Sequence, residues 1–276
     1  MVSKGTNGAG LGTLVPDRIR KQYLLKFAVV VALVVVVTAG VGVYFQQRVS
    51  ADVTADTHRQ LNGVATSEAA SLTRWVADRK QIARTTSAAT ELEGGNRSAI
   101  DHELDAVLTH SSGSAQEIHY IDLQTMRILE STNEDQVGQF ISPGKVTWMQ
   151  GSWNLTDPST VAVSDGYDTA NGTVVAFVSR IEGTHKAVML TYDTTALANG
   201  LQTVSGGYTQ AVNRDGRIIL TENQSLALTT YQEGADSPVL KRAFEGNNGT
   251  MNRASTKEVL AYAPVEGTDW AVVAHV

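Results

Sequence analysis

The chain contains no cysteine. That excludes a disulfide framework, a thiolate nucleophile and any cysteine-ligated metal, so an exported body must rest on a packed core. The motifs that announce catalysis are missing as well. There is no P-loop, no Gly-x-Gly-x-x-Gly after a strand pattern, no His-Glu-x-x-His and no Gly-x-Ser-x-Gly. The six histidines (His58, His102, His110, His119, His185 and His275) are scattered without metal-ligand spacing. Asp and Glu are plentiful but form no interpretable pair. No catalytic residue, metal site or cofactor is therefore expected, and the chain is read as non-enzymatic. The formal charge of −6 disfavours nucleic acid as a partner. No long low-complexity tract interrupts the composition, which is that of a globular body.

What is present begins with one long apolar run. Residues 27–45, FAVVVALVVVVTAGVGVYF, carry no charge and a single strongly polar side chain, Thr38. At about 1.5 Å per helical residue, such a run nearly matches a ~30 Å hydrocarbon core. In lipid a lone span can only be a helix, whatever the strand preference of its valines in water. Lys4, Arg18, Arg20, Lys21 and Lys26 precede it against the single Asp17. The tail is thus +4 and, with the whole chain at −6, the remainder is −10. Lys and Arg collect on the cytoplasmic side, and Tyr23, Tyr44 and Phe45 stand where aromatic belts form. A cleaved signal peptide fits less well, since the run exceeds a ~7–15-residue apolar region and VYFQQ offers no small-x-small site. The expectation is a single-pass protein of the cell membrane. Residues 1–22 form a cytoplasmic basic tail, 23–46 the transmembrane helix, and the acidic bulk lies outside.

Beyond the span, 49–92 contains no proline, and apolar residues recur at helical spacing from Val49 through Leu61, Leu72, Trp75, Val76 and Ala83. The stripe is narrow, as suits a stalk that also docks on its own domain. Gly94 and Gly95 stop it, and a second helix is predicted over 98–110, so 47–110 form stalk and packing helices. Strand patterns follow at 118–122, 126–131, 145–150, 161–164, 173–181, 187–192, 208–213, 217–222, 259–265 and 270–276, with helices at 194–204 and 238–244. Two stretches repeat: VAFVSRIEGTHKAVM (175–189) parallels LAYAPVEGTDWAVV (260–273), and YIDLQTMRILES parallels AVNRDGRIILTE. Each copy is a hairpin, an excursion and a second hairpin. The fold class is α+β, with two small antiparallel-sheet modules carrying helices on one face.

A span, a long helix and two such modules resemble the double Cache sensor region, the extracellular PAS-like ligand-binding part of chemoreceptors and sensor kinases. The resemblance covers about 49–276 and is carried by AVMLTYDTTALANGL and EVLAYAPVEGTDWAVVAHV, the latter with Trp270. The membrane end, VPDRIRKQYLLKFAVVVALVVVVTAG, is similar to haloarchaeal methyl-accepting transducers. The resemblance implies a membrane-distal module at 111–204 and a proximal one at 205–276. It also implies a ligand site in the distal module. In amino-acid-binding members a basic residue near a Trp takes the ligand carboxylate, while a Tyr and an Asp take the amine. Trp148, Tyr167 and Asp193 match these positions, Lys145 stands near the expected Arg, and Asp168 directly follows Tyr167 where one residue normally intervenes. Lysine lacks the bidentate fork of arginine, so a different small ligand, or none bound directly, stays open. So do plainer roles: packing for Trp148, a hairpin turn for Tyr167 and Asp168, a helix N-cap for Asp193, and a solvated charge for Lys145.

The expected function is the extracellular ligand-sensing portion of a membrane chemoreceptor. It would bind an amino acid, an organic acid or another small molecule, signal by helix displacement, and pair as a homodimer along the stalk. The alternative is a membrane-anchored binding or adhesion protein that does not signal. The chain is read either as the sensor portion of a larger receptor or as a truncated protein, with cytoplasmic signalling partners only in the first case.

Overall fold

The computed structural model describes residues 17–110, 115–141, 160–253 and 256–276. They divide into two compact units, one ending at Thr57 and one beginning at His58. Helix α1 runs from Asp17 to Ser87 and contributes to both. In the first unit, the side chains of Lys26, Phe27 and residues 30–38 are exposed. The one polar side chain of residues 30–38, Thr38, donates its hydroxyl to the carbonyl of Val34 at 2.8 Å. Among the described residues no helix is long and apolar enough to cross a membrane.

In the second unit α1 buries Leu61, Ala65, Ala69, Leu72 and Val76 at intervals of three or four residues, and Ala83 seven residues further on. The helix stops at Ser87, short of the predicted 92. The hydroxyls of Thr85, Thr86 and Ser87 all donate back to carbonyls of the preceding turn. Such back-bonding competes with helix propagation, and Ala89 is extended. One further turn, α2 (Thr90–Glu93), leads into α3 (Arg97–His110).

Two antiparallel sheets follow. The first holds β1 (Ala115–Asp122), β2 (Arg127–Ser131), β3 (Val161–Val163), β5 (Gly172–Arg180) and β6 (Lys186–Asp193) in the order β2-β1-β6-β5-β3, and β4 (Tyr167–Thr169) also pairs with β5. The second holds β7 (Tyr208–Asn213), β8 (Ile218–Thr221), β9 (Gly249–Arg253), β10 (Glu258–Val265) and β11 (Trp270–His275) in the order β8-β7-β11-β10-β9. Exchanging β1, β2, β3, β5 and β6 for β7 to β11 turns one order into the other. Between the sheets lies α4 (Thr194–Asn199), capped at its end by Gly200 and so shorter than the predicted 194–204. Helix α5 (Pro238–Phe244) lies within the second sheet's excursion. The predicted strand at 145–150 falls outside the described residues. Two strands, β4 and β9, had no strand signal, being short and rich in Gly, Asn, Asp and Thr.

The repeat extends to individual bonds. In the β5–β6 turn the Thr184 hydroxyl donates to Ile181 O at 2.9 Å and accepts from Lys186 N at 3.1 Å. In the β10–β11 turn Thr268 does the same with Val265 O and Trp270 N, at 2.9 and 3.1 Å. Gly183 and Gly267 take the left-handed conformation that each turn requires, at φ 70° and 76°. Likewise Arg127 Nε donates to Gly138 O, and Arg217 Nε to Leu228 O.

One core joins α1 and α3 to the inner faces of both sheets, with Trp270 buried in it. The outer face of the second sheet packs on α5 through Val239, Leu240 and Ala243, so this sheet has helices on both faces rather than the one expected. The outer face of the first sheet carries a smaller cluster that includes Ile121, Ile128, Ile141, Val178 and Met189.

Candidate ligand cavity on the first sheet

Side chains alternate across a strand. In β1, Ile118 and Tyr120 therefore join the α1 core, while Glu117, His119 and Ile121 point the other way. In β6, Leu190 and Tyr192 face the core, and Met189 and Thr191 face outward. On this outer face lies a cavity of ≈ 330 Å³, at the lower end of the about 300–1,000 Å³ usual for small-molecule sites. Its floor is Glu117, His119, Met189 and Thr191. The tight β4–β5 hairpin walls one side with Tyr167, Asp168 and Asn171, and the segment after β2 supplies Phe140 and Ile141.

The polar groups are held in a network. Thr191 Oγ1 donates to Glu117 O and accepts from Glu117 N, both at 3.1 Å, which fixes that residue across the strand pair. Glu117 Oε1 accepts from Asn133 Nδ2 at 2.6 Å and from Asn171 Nδ2 at 3.5 Å. Glu117 Oε2 stands 3.4 Å from His119 Nε2, and His119 Nδ1 lies 2.9 Å from Ser131 Oγ. His119 is only 3% exposed, and burial pushes its pKa down to about 4. Although a carboxylate lies close, desolvation outweighs it. We read the ring as neutral, with Nε2–H donating to Glu117 and Nδ1 accepting from Ser131. Burial, aided by the Glu117 carboxylate, lifts the Tyr167 phenol far above its ordinary range. Asp168 is exposed and accepts from Thr173 Oγ1 at 2.8 Å. Among the described residues lining the cavity there is no Lys or Arg, so its electrostatics favour a cationic group.

Of the residues singled out from the sequence, Tyr167 and Asp168 line this cavity. Asp193 does not: its carboxylate accepts from Thr195 N at 2.7 Å and caps α4. Lys145 and Trp148 lie outside the described residues. Glu117, His119, Asn171 and Thr191 were not foreseen. For Glu117, His119 and Thr191 the one sequence signal is polar residues at alternate positions of an otherwise apolar strand, as in Glu117-Ile118-His119-Tyr120, while Asn171 sits in the β4–β5 turn.

No family model matches the sequence. Transducer protein Htr18 of Halobacterium salinarum is 27% identical over 266 residues, 96% of this chain and 32% of that protein. The chain spans about a third of the length of the curated relatives it matches. Among solved structures, the ligand-binding domain of the amino-acid chemoreceptor PctC of Pseudomonas aeruginosa PAO1, in complex with GABA, matches with a TM-score of 0.61 at 15% identity, over 80% of this chain and 100% of that one. That of chemoreceptor CtaA of Pseudomonas fluorescens, in complex with L-isoleucine, matches with a TM-score of 0.60 at 15% identity, over 82% and 94%. The chain is a homologue of the haloarchaeal transducer proteins, built on the fold of the double-Cache ligand-binding domains of chemoreceptors.

Proposed function

We propose that this chain is the extracellular sensor part of a membrane chemoreceptor and binds a small amine-bearing molecule, of the amino-acid class, in the cavity on the first sheet. One observation carries the reading. The cavity presents two carboxylates, Glu117 and Asp168, beside an apolar wall of Ile128, Ile141 and Met189, with no cation among its described lining. An ammonium group meets the carboxylates, and an aliphatic side chain meets the wall. Lys145 is the candidate for the ligand carboxylate and Trp148 the matching aromatic of the resemblance; both lie outside the described residues. The structural neighbours bound to GABA and L-isoleucine support the same class.

The signal would travel through α1, which packs on the opposite face of β1, β5 and β6. Displacement of that helix by ~1–2 Å is the scale on which such elements switch. In this reading 23–46 crosses the membrane with the basic tail inside, and two chains pair along α1. The adhesion alternative asks for an exposed apolar stripe away from the cavity. Between His58 and Val276 the large exposed apolar side chains among the described residues are Phe140, Tyr208, Leu226 and Val276, and Phe140 belongs to the cavity rim.

The test is calorimetry on the 276-residue chain in detergent, titrated with L-isoleucine, L-alanine, GABA and succinate. Saturable binding of an amine that weakens tenfold or more in Glu117→Gln and Asp168→Asn supports the site; hydrogen bonds to charged groups are worth about 1.5–3 kcal/mol. Preference for succinate, or amine binding indifferent to both substitutions, refutes it.

A further inference from the structure

The second sheet carries a cavity of its own, of ≈ 630 Å³, on the face that corresponds to the first site. Strand register fixes the correspondence. His119 pairs with Ser131 on one side and Met189 on the other. Gln210 pairs with Thr221 and Val273. Glu117 pairs with Thr191, and Tyr208 with His275. After β2, Asn133 caps a short 3-10 turn that ends at Gln136; after β8, Asn223 caps one that ends at Leu226. Tyr208, Gln210 and Leu226 thus stand where Glu117, His119 and Gln136 stand in the first cavity, and all six line their respective spaces.

The chemistry of the second cavity is different. Gln210 is 3% exposed, and its Nε2 donates to Thr221 Oγ1 at 3.3 Å. Tyr208 stacks on His275 with ring centroids 4.2 Å apart and interplanar angle 12°, and remains 39% exposed. Among the described residues lining the cavity there is no Lys or Arg, and Arg253, whose charge reaches Tyr208, is engaged by Glu233 at 3.2 Å and Glu258 at 3.7 Å. Among the described lining residues the charged one is Glu222, exposed at the rim.

We propose that this cavity is a second ligand site, selective for an uncharged, hydroxyl-rich molecule of the monosaccharide or polyol class. A half-exposed aromatic ring takes the C–H face of such a ligand. The Gln210 carbonyl accepts one hydroxyl, and the Glu222 carboxylate accepts an adjacent pair. Hydroxyls, which both donate and accept, suit a described lining whose charge is the Glu222 carboxylate and whose other polar groups are neutral. The site is independent of whatever occupies the first cavity.

The experiment is saturation-transfer NMR and calorimetry on the full chain in detergent, with D-glucose, D-galactose, D-ribose and sorbitol as probes. The expected result is saturable binding of at least one probe, weakened tenfold or more in Tyr208→Ala and Gln210→Leu and unchanged in Glu117→Gln. Leu226→Trp, which fills the mouth from an exposed position without entering the core, must abolish the same binding and serves if a buried variant fails to fold. No saturable binding of any probe overturns the proposal. So does binding that survives Leu226→Trp, or that is lost in Glu117→Gln and therefore belongs to the first cavity.

Discussion

Acidification should destabilise this fold through two buried imidazoles. His119 and His275 are 3% and 1% exposed, and burial lowers the pKa of each to about 4. A value below the unfolded one means that the unfolded chain binds more protons across the window from about pH 6.5 down to about pH 4. The stabilisation is complete above that window and is lost as pH falls through it. With an unfolded value near 6.5, the loss by pH 5 relative to pH 8 is about 2 kcal/mol for each ring. Two rings, about 4 kcal/mol together, approach the whole stability of a domain at the lower end of the usual ~5–15 kcal/mol. Glu68 and Asp165, raised by burial, act in the opposite sense, so single substitutions are needed to isolate the effect. His119→Gln is the informative one. Glutamine occupies the matching register position in the second sheet and bonds Thr221 there. Urea melts at pH 8 and pH 5 should show the variant losing about 2 kcal/mol less than the parent on acidification. The countervailing force is the Glu117 carboxylate, 3.4 Å from Nε2. If it outweighed burial, His119 would titrate above its ordinary value and the parent would gain stability from this ring as pH fell. An NMR titration placing His119 at or above 6.5, or equal pH slopes in parent and variant, refutes the reasoning.

Trp270→Ala removes the largest fully buried side chain of the shared core and should cost about 3–5 kcal/mol in urea melts. Gly183 and Gly216 both have positive φ, but a Cβ at Gly183 meets open space, whereas one at Gly216 would lie 2.2 Å from the Gly234 carbonyl carbon. Gly183→Ala should therefore cost about 1–2 kcal/mol, the left-handed backbone penalty alone, and Gly216→Ala clearly more; equal melting shifts would contradict the contact. Trp75 meets Phe177 and Tyr192 edge-on at 5.5 and 5.6 Å. Trp75→Ala should cost about 3 kcal/mol or more, and a thermal melt within 2 °C of the parent would show that α1 is not docked as described.

The parts of this fold legible in the sequence are those set by local chemistry. The Glu-Gly-Thr turns stood out because a left-handed glycine and a threonine hydroxyl close each hairpin within four residues. The stripe on α1 was legible because helical spacing alone defines it, while its end at Ser87 was not, since three consecutive hydroxyls had to be seen bonding backward. Strand β9, GTMNR, has no apolar alternation and pairs only because β10 offers an edge. The first cavity was half legible. Tyr167 and Asp168 belong to one short hairpin, but Glu117, His119 and Thr191 meet only through the pairing of β1 with β6, across more than seventy residues of chain. Asp193 illustrates the reverse case, a residue matched by resemblance whose carboxylate is committed to a helix cap.

The same pairing that assembles the cavity also connects it to α1. In β6, Met189 and Thr191 floor the cavity, while Leu190 and Tyr192 enter the core on the other side of the same backbone. Tyr192 lies 5.4 Å from Phe177, and the Arg79 guanidinium sits 5.2 Å above its ring. A slab packed at crystal-like density on both faces cannot bend toward a ligand without disturbing these contacts. The contacts themselves are incompletely satisfied: Arg79 Nε and Tyr192 OH are buried with no hydrogen-bond partner among the described residues. Each such group costs about 1–3 kcal/mol. In the proposed signalling reading, a second packing of α1 that paired them would recover that energy at the expense of the aromatic cluster, and would be the arrangement a ligand could favour. A ligand would shift the balance only by binding them unequally, and in the proposed site it would touch β6, the strand that carries Tyr192.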